Sequence, residues 1–210
     1  MNDAAATQWR STLAWLAVVA AGVAAAVALA VVATRTRIER NTAARELDVL
    51  ATLLPAGSYD NQPAGDRIDV TDAALLGSTE PLPVYRARMA GQPVAAILTV
   101  VARQGYVGPI RLLVSMRVDG QVLGVRAVEH QETPGLGDRI DAAKSSWIDS
   151  FTGRSLGDPA AARWALRRDG GEFDAITGAT VTSRAVVDAV RHAAEYFATH
   201  QSALFGRPPE

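Results

Sequence analysis

An uncharged run from Leu13 to Ala33, LAWLAVVAAGVAAAVALAVVA, restricts the fold of this chain more than any other feature of its sequence. A helix rises about 1.5 Å per residue, so this run would extend roughly 30 Å, the thickness of the hydrocarbon core of a bilayer. A cleavable signal peptide is the alternative, because Ala28-Leu29-Ala30 has the small-x-small form of a cleavage site. The run is longer than the apolar region of most signal peptides, which favours one uncleaved transmembrane helix over residues 13–33.

The charges that flank this run bear on its orientation. Arg35, Arg37 and Arg40 follow it, whereas Arg10 is the only Lys or Arg before it. By the positive-inside rule, this distribution alone favours a C-terminal part in the cytoplasm. The signal is weak because Glu39 interrupts the cluster and the excess is only two or three charges.

The chain after the apolar run predicts an α+β domain on a stalk. Helical spacing over residues 35–54 predicts a stalk helix that ends at Pro55 and Gly57. Apolar patterns of strand length predict an antiparallel meander. Its predicted strands are residues 84–89, 94–102, 110–118 and 122–128.

Local signals predict the connections and the C-terminal half. Asp119-Gly120 favours a type I′ hairpin turn, which requires positive φ at both central residues. Apolar residues at helical spacing predict helices over residues 139–151 and 184–205, and residues 162–166 are predicted to form a short strand. The predicted organisation is residues 1–12 before the span, the span 13–33, a helical stalk and loop 34–80, a folded domain 81–205 and a tail 206–210.

Composition excludes several classes of function. The chain has no cysteine, which excludes disulfides, Cys-ligated zinc and Cys-ligated iron–sulfur clusters. A net charge of −1 argues against nucleic acid as the main partner, because phosphate-binding domains usually have a basic excess. The three histidines lack metal-ligand spacing, so no metal site is predicted.

The stretch GEFDAITGATVTSRAVVDAV sets hydroxyl residues around a glycine where a helical pattern starts. A helix N-terminus favours a phosphate, and Gly178 would let the backbone approach a ligand closely. The alternative is that Thr180 or Thr182 is only an N-cap. A Thr nucleophile is less favoured, because no base lies nearby in the sequence.

Three other segments are candidate binding elements. The loop Glu132-Thr133-Pro134-Gly135-Leu136-Gly137-Asp138 has a restricted geometry that suits either ligand binding or a strand-to-helix connection. Tyr106, in a glycine loop, would either stack on a planar ligand or, more commonly, pack at the edge of the core. Trp147 by its spacing is a core aromatic residue.

These segments together resemble a known family. DAITGAT, from Asp174 to Thr180, matches the flavinylation motif Asp-x-x-(Ser/Thr)-Gly-Ala-(Thr/Ser). GYVGPIRLLVSMRVDGQVLGVRAVEHQETPGLGD and KSSWIDSFTGRSL resemble the FMN-binding domain of the G subunit of the Rnf (Rsx) electron-transport complex. The C subunit of the sodium-pumping NADH:quinone reductase is a more distant relative.

The resemblance implies a site and a role. It implies FMN joined covalently to Thr180 through a phosphoester, attached by a flavin transferase that uses FAD. The implied cofactor-binding residues, which lie within an FMN-binding domain over residues 81–205, are Thr180, Asp174, Thr177, Gly178, Ala179, Thr182, Glu132, Thr133, Gly135, Leu136 and Trp147.

The implied role is an electron-carrier subunit, not a complete enzyme alone, in a complex that couples ferredoxin and NAD redox chemistry to ion translocation. The implied partners are the other Rnf subunits, the transferase and the membrane. Against the charge count, the resemblance implies that the N-terminus is cytoplasmic and the FMN domain lies on the periplasmic side of the bacterial inner membrane. The alternatives are a membrane-anchored scaffold subunit without flavin and, less favoured, a hydrolase with a Thr or Ser nucleophile.

Overall fold

Five strands form one antiparallel sheet in which each strand pairs with its neighbours in the chain. The structure is a computed structural model and describes residues 15–16, 19–29, 31, 49–55 and 57–206. The strands are β1 (Arg67–Asp72), β2 (Ser78–Met89), β3 (Gln92–Ala102), β4 (Ile110–Arg117) and β5 (Val122–Glu129). The meander and the α+β class predicted from the sequence are confirmed.

Both faces of the sheet are covered. The long helix α1 (Thr180–Phe205) packs against β3 and β4, and its apolar residues join a large core with Leu98, Leu112 and Trp164. On the other face Ile97 and Leu113 pack with Leu53, from the helical residues 49–53. Because β3 is buried on both faces, it reads as a continuous apolar run.

The sheet starts earlier than predicted. β1, RIDVTD, lies within the segment assigned to stalk and loop, and β2 begins at Ser78 instead of residue 84. β1 is an edge strand whose residues alternate between exposed and half-buried, with Ile68 and Val70 packed against the core. Its charged residues on the exposed face hid the strand pattern.

The predicted helix over residues 139–151 is wrong. The segment contains two 3₁₀ helices, Gly137–Ile140 and Ser146–Phe151, separated by extended backbone at Asp141 and Ser145. The Ser145 hydroxyl accepts a hydrogen bond of 3.1 Å from the backbone N–H of Trp147. A serine that caps a new helix in this way competes with continuation of the preceding one.

Three smaller predictions also need correction. The predicted strand over residues 162–166 is instead a 3₁₀ helix, Ala161–Arg163, followed by a single bridge between Leu166 and Phe173. The helix predicted from residue 184 begins at Thr180. In the β4–β5 turn, Gly120 has positive φ (86°) but Asp119 does not, so the turn is not type I′.

The N-terminal unit is described only in part. Residues 15–16, 19–29 and 31 are helical, with exposed apolar side chains such as Trp15 and Val23. The rest of the predicted span 13–33, and the predicted stalk before residue 49, lie outside the described residues. Within the described part of the chain, no helix has both the length and the hydropathy that crossing a membrane requires.

Candidate functional site

A cleft of about 410 Å³ lies where the start of α1 meets the loop after β5. Small-molecule sites in proteins usually have volumes of roughly 300–1,000 Å³, so the cleft is large enough to be one. Glu132, Thr133, Leu136 and Gly137 line it from the loop, residues 178–182 line it from the helix start, and Tyr106 lines it from the β3–β4 connection. Three segments that are far apart in sequence therefore line one cavity.

Thr180 is the first residue of α1 and is half-buried in the cleft wall. The N-cap is Ala179, which makes no side-chain cap hydrogen bond, so the interpretation of Thr180 or Thr182 as the N-cap is wrong. The hydroxyl of Thr180 instead accepts a hydrogen bond of 3.2 Å from Nη1 of Arg168. The first N–H groups of a helix have no acceptor within the helix, and here no capping side chain serves them.

Gly178 lets the helix start and the loop approach each other. Its φ is +83°, and a Cβ built there would lie 2.9 Å from Cδ2 of Leu136. Any side chain at this position would therefore push Leu136 away and narrow the cleft. Gly137 is similar, because a Cβ there would lie 2.7 Å from Oε2 of Glu132.

Glu132 joins three segments around the cleft. Its side chain is buried, Oε2 accepts a hydrogen bond of 2.5 Å from the Thr182 hydroxyl, and Oε1 accepts one of 3.1 Å from the backbone N–H of Val107. The carboxylate thus holds the β3–β4 connection, the loop and α1 together. Thr182 is fully buried, and its hydroxyl is occupied by the hydrogen bond to Glu132.

Charged groups brace the other end of the loop. Nζ of Lys144 lies 2.9 Å from Oδ2 of Asp138 and 3.2 Å from Oδ2 of Asp141. The hydrogen bond from Lys144 lowers the pKa of Asp138 below its usual value, and the bonds to Asp138 and Asp141 raise the pKa of Lys144. His130 also approaches this cluster, with Nε2 3.1 Å from Oδ1 of Asp141.

Four predicted site residues do not line this cleft: Asp174, Thr177, Gly135 and Trp147. The Asp174 carboxylate is exposed and lies 3.1 Å from Nε of Arg167. The Trp147 indole donates a hydrogen bond of 2.6 Å to the backbone carbonyl of Asp174 and packs edge-on against Phe151. Trp147 therefore positions the segment that leads into α1.

Sequence reasoning missed or misassigned two kinds of residue at the site. Tyr106 is 70% exposed, so its interpretation as a core-edge residue is wrong, and with Leu136 and Val181 it gives the cleft an apolar rim. The glycines on either side of Tyr106 were the available signal. Arg168 had no such sequence signal, because nothing in its local sequence indicates a contact with Thr180.

Comparison with known proteins matches this region to a family. The family model of the FMN-binding domain matches residues 105–195, which include every residue that lines the cleft. The chain is 53% identical over 155 residues to the G subunit of the ion-translocating oxidoreductase complex of Pseudomonas aeruginosa, covering 74% of this chain and 72% of that protein. The G subunits of the same complex from Pseudoalteromonas atlantica and Shewanella loihica are 44% identical over 184 residues (88% and 86% covered) and 45% identical over 173 residues (81% and 82% covered).

The chain belongs to the family of G subunits of ion-translocating oxidoreductase complexes. The family resemblance read from the sequence motifs is thereby confirmed.

The residues in and beside the cleft of this G subunit fit FMN. FMN combines a planar ring system with an anionic phosphate. The exposed apolar side chains of Tyr106, Leu136 and Val181 suit the ring, and the Thr180 hydroxyl with its Arg168 donor suits the phosphate. Gly178 leaves free the space beside Leu136 that a side chain would fill.

Proposed function

We propose that this chain is the FMN-carrying electron-transfer subunit of an Rnf-type, ion-translocating oxidoreductase complex, with FMN joined to Thr180 through a phosphoester. The observation that carries the proposal is the position of Thr180 in the wall of the cleft, at the end of the Asp174–Thr180 motif and inside the region that matches the FMN-binding domain. Bound FMN would supply one-electron transfer at its ring, and the protein would set its position and surroundings.

The environment of Thr180 suits an acceptor more than a nucleophile. Among the described residues, its hydroxyl is bonded to a guanidinium and to no carboxylate, histidine or lysine that would take its proton. Attachment thus needs an outside catalyst, in agreement with a flavin transferase. The Thr180 oxygen would form the bond to phosphorus as the pyrophosphate bond of FAD breaks, AMP would leave, and the hydroxyl proton would pass to the transferase.

The remaining residues of the cleft would hold the attached group. The backbone of Gly178 and Ala179 and the start of α1 would lie at the phosphate, where helix N–H groups favour an anion. Thr133, Gly135 and Leu136 would approach the ring, while Glu132 and Thr182 would keep the loop against the helix. Asp174, Thr177 and Trp147 would act at the approach to Thr180, in recognition by the transferase or in support of the motif.

We also propose that Leu13 to Ala33 anchors the protein as a single transmembrane helix, with the FMN domain on the periplasmic side of the bacterial inner membrane. Two observations support the anchor: the run carries no charge, and its described residues are helical with exposed apolar side chains. The anchor would keep the domain beside the other subunits of the complex.

Replacement of the acceptor tests the proposal. In cells that have the transferase, the denatured wild-type protein should fluoresce as a gel band, and mass spectrometry should place FMN on the peptide with Thr180. Thr180→Ala should fold normally, because Thr180 is not the N-cap and the helix propensity of Ala is at least as favourable as that of Thr. Its band should stay dark, because the acceptor hydroxyl is gone. Thr180→Ser, which keeps a hydroxyl, is the matched control and should retain some label.

Other outcomes would assign the protein differently. A dark wild-type band would support the scaffold without flavin. Label that persists in Thr180→Ala would move the acceptor to Thr177 or Thr182. Activity lost with a hydroxyl-directed inhibitor would support a hydrolase.

A further inference from the structure

Arg168 lies beside the hydroxyl that is proposed to carry the cofactor. Its Nη1 atom donates a hydrogen bond of 3.2 Å to Oγ1 of Thr180. Arg168 belongs to the 3₁₀ helix Arg167–Asp169, which ends at Gly170 in the left-handed conformation. It does not line the cleft, so Thr180 is in contact with the cleft and with a cation outside it.

The other arginines of this region already have acidic partners. Their ion pairs are Arg163–Glu172 at 2.7 Å, Arg167–Asp174 at 3.1 Å and Arg184–Asp169 at 2.8 Å. Arg168 forms no ion pair with any carboxylate in the described part of the chain, and its one side-chain partner there is the Thr180 hydroxyl. Its charge is therefore available to an anion at Thr180.

We propose that Arg168 is the phosphate-binding residue of this site and pairs with the phosphodiester formed on Thr180. The inference rests on the proposed function. Attachment replaces the Thr180 hydroxyl by a phosphodiester with one negative charge, and a donor 3.2 Å from Oγ1 is within reach of an oxygen on the phosphorus bonded to it. A guanidinium is permanently charged and suits phosphate geometry.

Arg168 would contribute both before and after attachment. Before it, the guanidinium holds the acceptor oxygen and attracts the anionic phosphates of FAD. After it, Arg168 and the positive end of α1 both neutralise the diester. Arg168 takes no part in bond making, so it is a binding residue.

The test measures two quantities separately: the rate at which flavin is attached and the resonance of the attached phosphorus. Full-length wild type, Arg168→Gln, Arg168→Lys and Arg163→Gln would be labelled with purified transferase and FAD, and the initial rate read from in-gel fluorescence. Arg163 is the matched control, an exposed arginine of the same segment that is paired with Glu172. After prolonged labelling, the phosphorus-31 resonance of each protein would be recorded.

Arg168→Gln should label about five- to tenfold more slowly at low salt, the effect of one solvent-exposed charged hydrogen bond. The difference should shrink at about 1 M salt, where the screening length falls to roughly 3 Å. Its phosphorus resonance should be shifted from that of wild type. Arg168→Lys, which keeps the charge, should label at a rate between those of wild type and Arg168→Gln. Arg163→Gln should match wild type in labelling rate and in phosphorus resonance.

Two results would overturn the inference. One is a wild-type rate and an unshifted resonance in Arg168→Gln. The other is slow labelling with an unshifted resonance, which would make Arg168 a contact of the transferase and not of the phosphate. If Arg168→Gln is folded yet unlabelled, the resonance of labelled Arg168→Lys decides: a shift from wild type supports the inference, and an unshifted resonance overturns it. Wild-type protein without covalent flavin would instead refute the proposed function itself.

Discussion

At the scale of single residues, two glycines with nearly the same φ angle have different surroundings. Gly178 and Gly120 have φ of +83° and +86°. A Cβ at Gly120 would meet no atom within 4 Å, whereas one at Gly178 would lie 2.9 Å from Leu136. Gly120 is therefore required only for the positive φ of its turn, whereas Gly178 also allows Leu136 of the loop to lie close to the start of α1.

Substitution by alanine should separate these two effects. Gly120→Ala should lower the free energy of unfolding by about 1–2 kcal/mol, the cost of the left-handed conformation. Gly178→Ala should lower it by about 0.5–1.5 kcal/mol more, the cost of a displaced side-chain torsion, because Cδ2 at the end of the Leu136 side chain must move. Urea unfolding would measure both, and adding Leu136→Ala to Gly178→Ala should remove the excess. Equal losses for the two glycines would mean that Leu136 moves aside freely.

At the scale of elements, the loop after β5 is held by charges that titrate. The hydrogen bond from Lys144 lowers the pKa of Asp138 in the folded state. The ionised Asp138 carboxylate therefore stabilises the fold above its unfolded-state pKa, and this stabilisation is lost as pH falls through its folded-state pKa. The hydrogen bonds to Asp138 and Asp141 raise the pKa of Lys144 in the folded state. The charged Lys144 therefore stabilises the fold below its unfolded-state pKa, and this stabilisation is lost as pH rises through its folded-state pKa.

Lys144→Gln should therefore destabilise the domain only over a limited pH range. Reference pKa values of about 3.9 for Asp and 10.4 for Lys place that range between roughly pH 4 and pH 10. The difference in unfolding free energy from wild type, measured in urea, should be level near neutrality and shrink at both ends. In an Asp138→Asn background the loss on the acid side should be much smaller, with Asp141 the remaining partner. A difference that persists unchanged to pH 2 would contradict the pairing.

A buried ion cluster joins the sheet to the end of α1. Asp66 pairs with Arg86 and with Arg88, whose Nε lies 2.7 Å from Oδ2. Arg86 and Arg88 also donate to the carbonyls of Leu204 (3.3 Å) and Phe205 (3.4 Å) in the last turn of the helix. One carboxylate therefore pairs with both of the cations that cap α1 and balances one of their two charges.

Asp66→Asn should be strongly destabilising, by about 3–5 kcal/mol, because it leaves buried arginine charge uncompensated. Asp69→Asn is the matched control: Asp69 pairs with Arg67, both side chains are about half exposed, and the loss should be about 1 kcal/mol or less. Urea unfolding would measure the difference, and hydrogen exchange should quicken at the C-terminal turn of α1 in Asp66→Asn alone. Similar losses in the two variants would show that the cluster contributes little.

At the scale of the whole molecule, the proposed function makes attachment of FMN depend on the compartment that the domain reaches. The sheet supports α1 on one face, and the loop after β5 meets the first residues of that helix at the cleft. A folded domain with this cleft would still lack covalent FMN if it never met the transferase. Under the proposed function, orientation in the membrane would therefore decide whether FMN is attached.

Reporter fusions should test the proposed topology. A reporter active only in the cytoplasm, fused after Glu210, should be silent, and one active only outside should work. Changing Arg35, Arg37 and Arg40 together to Gln should keep or strengthen this orientation, because these charges oppose it. Deletion of Leu13 to Ala33 without an export signal should give protein without flavin. Covalently labelled protein from that deletion, in cells whose transferase is confined outside, would refute the topology.

The sequence by itself determined the features that depend on neighbouring residues. Alternation and apolar runs placed the last four strands of the meander, β2 to β5, because a strand's side chains alternate between its two faces. The motif from Asp174 to Thr180 indicated the region of the helix start, since glycine and the following helical pattern are adjacent in the chain, although the helix begins at Thr180 and not at the predicted residue 184. Composition excluded cysteine-based cofactors, because the residue is absent from the whole sequence.

Tertiary structure decided what depends on residues far apart in the chain. It buried Glu132 against Thr182, brought Arg168 to the Thr180 hydroxyl, left Trp147 outside the cleft, and divided the predicted helix over residues 139–151 at Ser145. These outcomes follow from long-range packing and hydrogen bonding, which local propensity and spacing do not contain. A sequence motif can therefore indicate a candidate residue for cofactor attachment, whereas the groups that surround that residue are selected only when the chain folds.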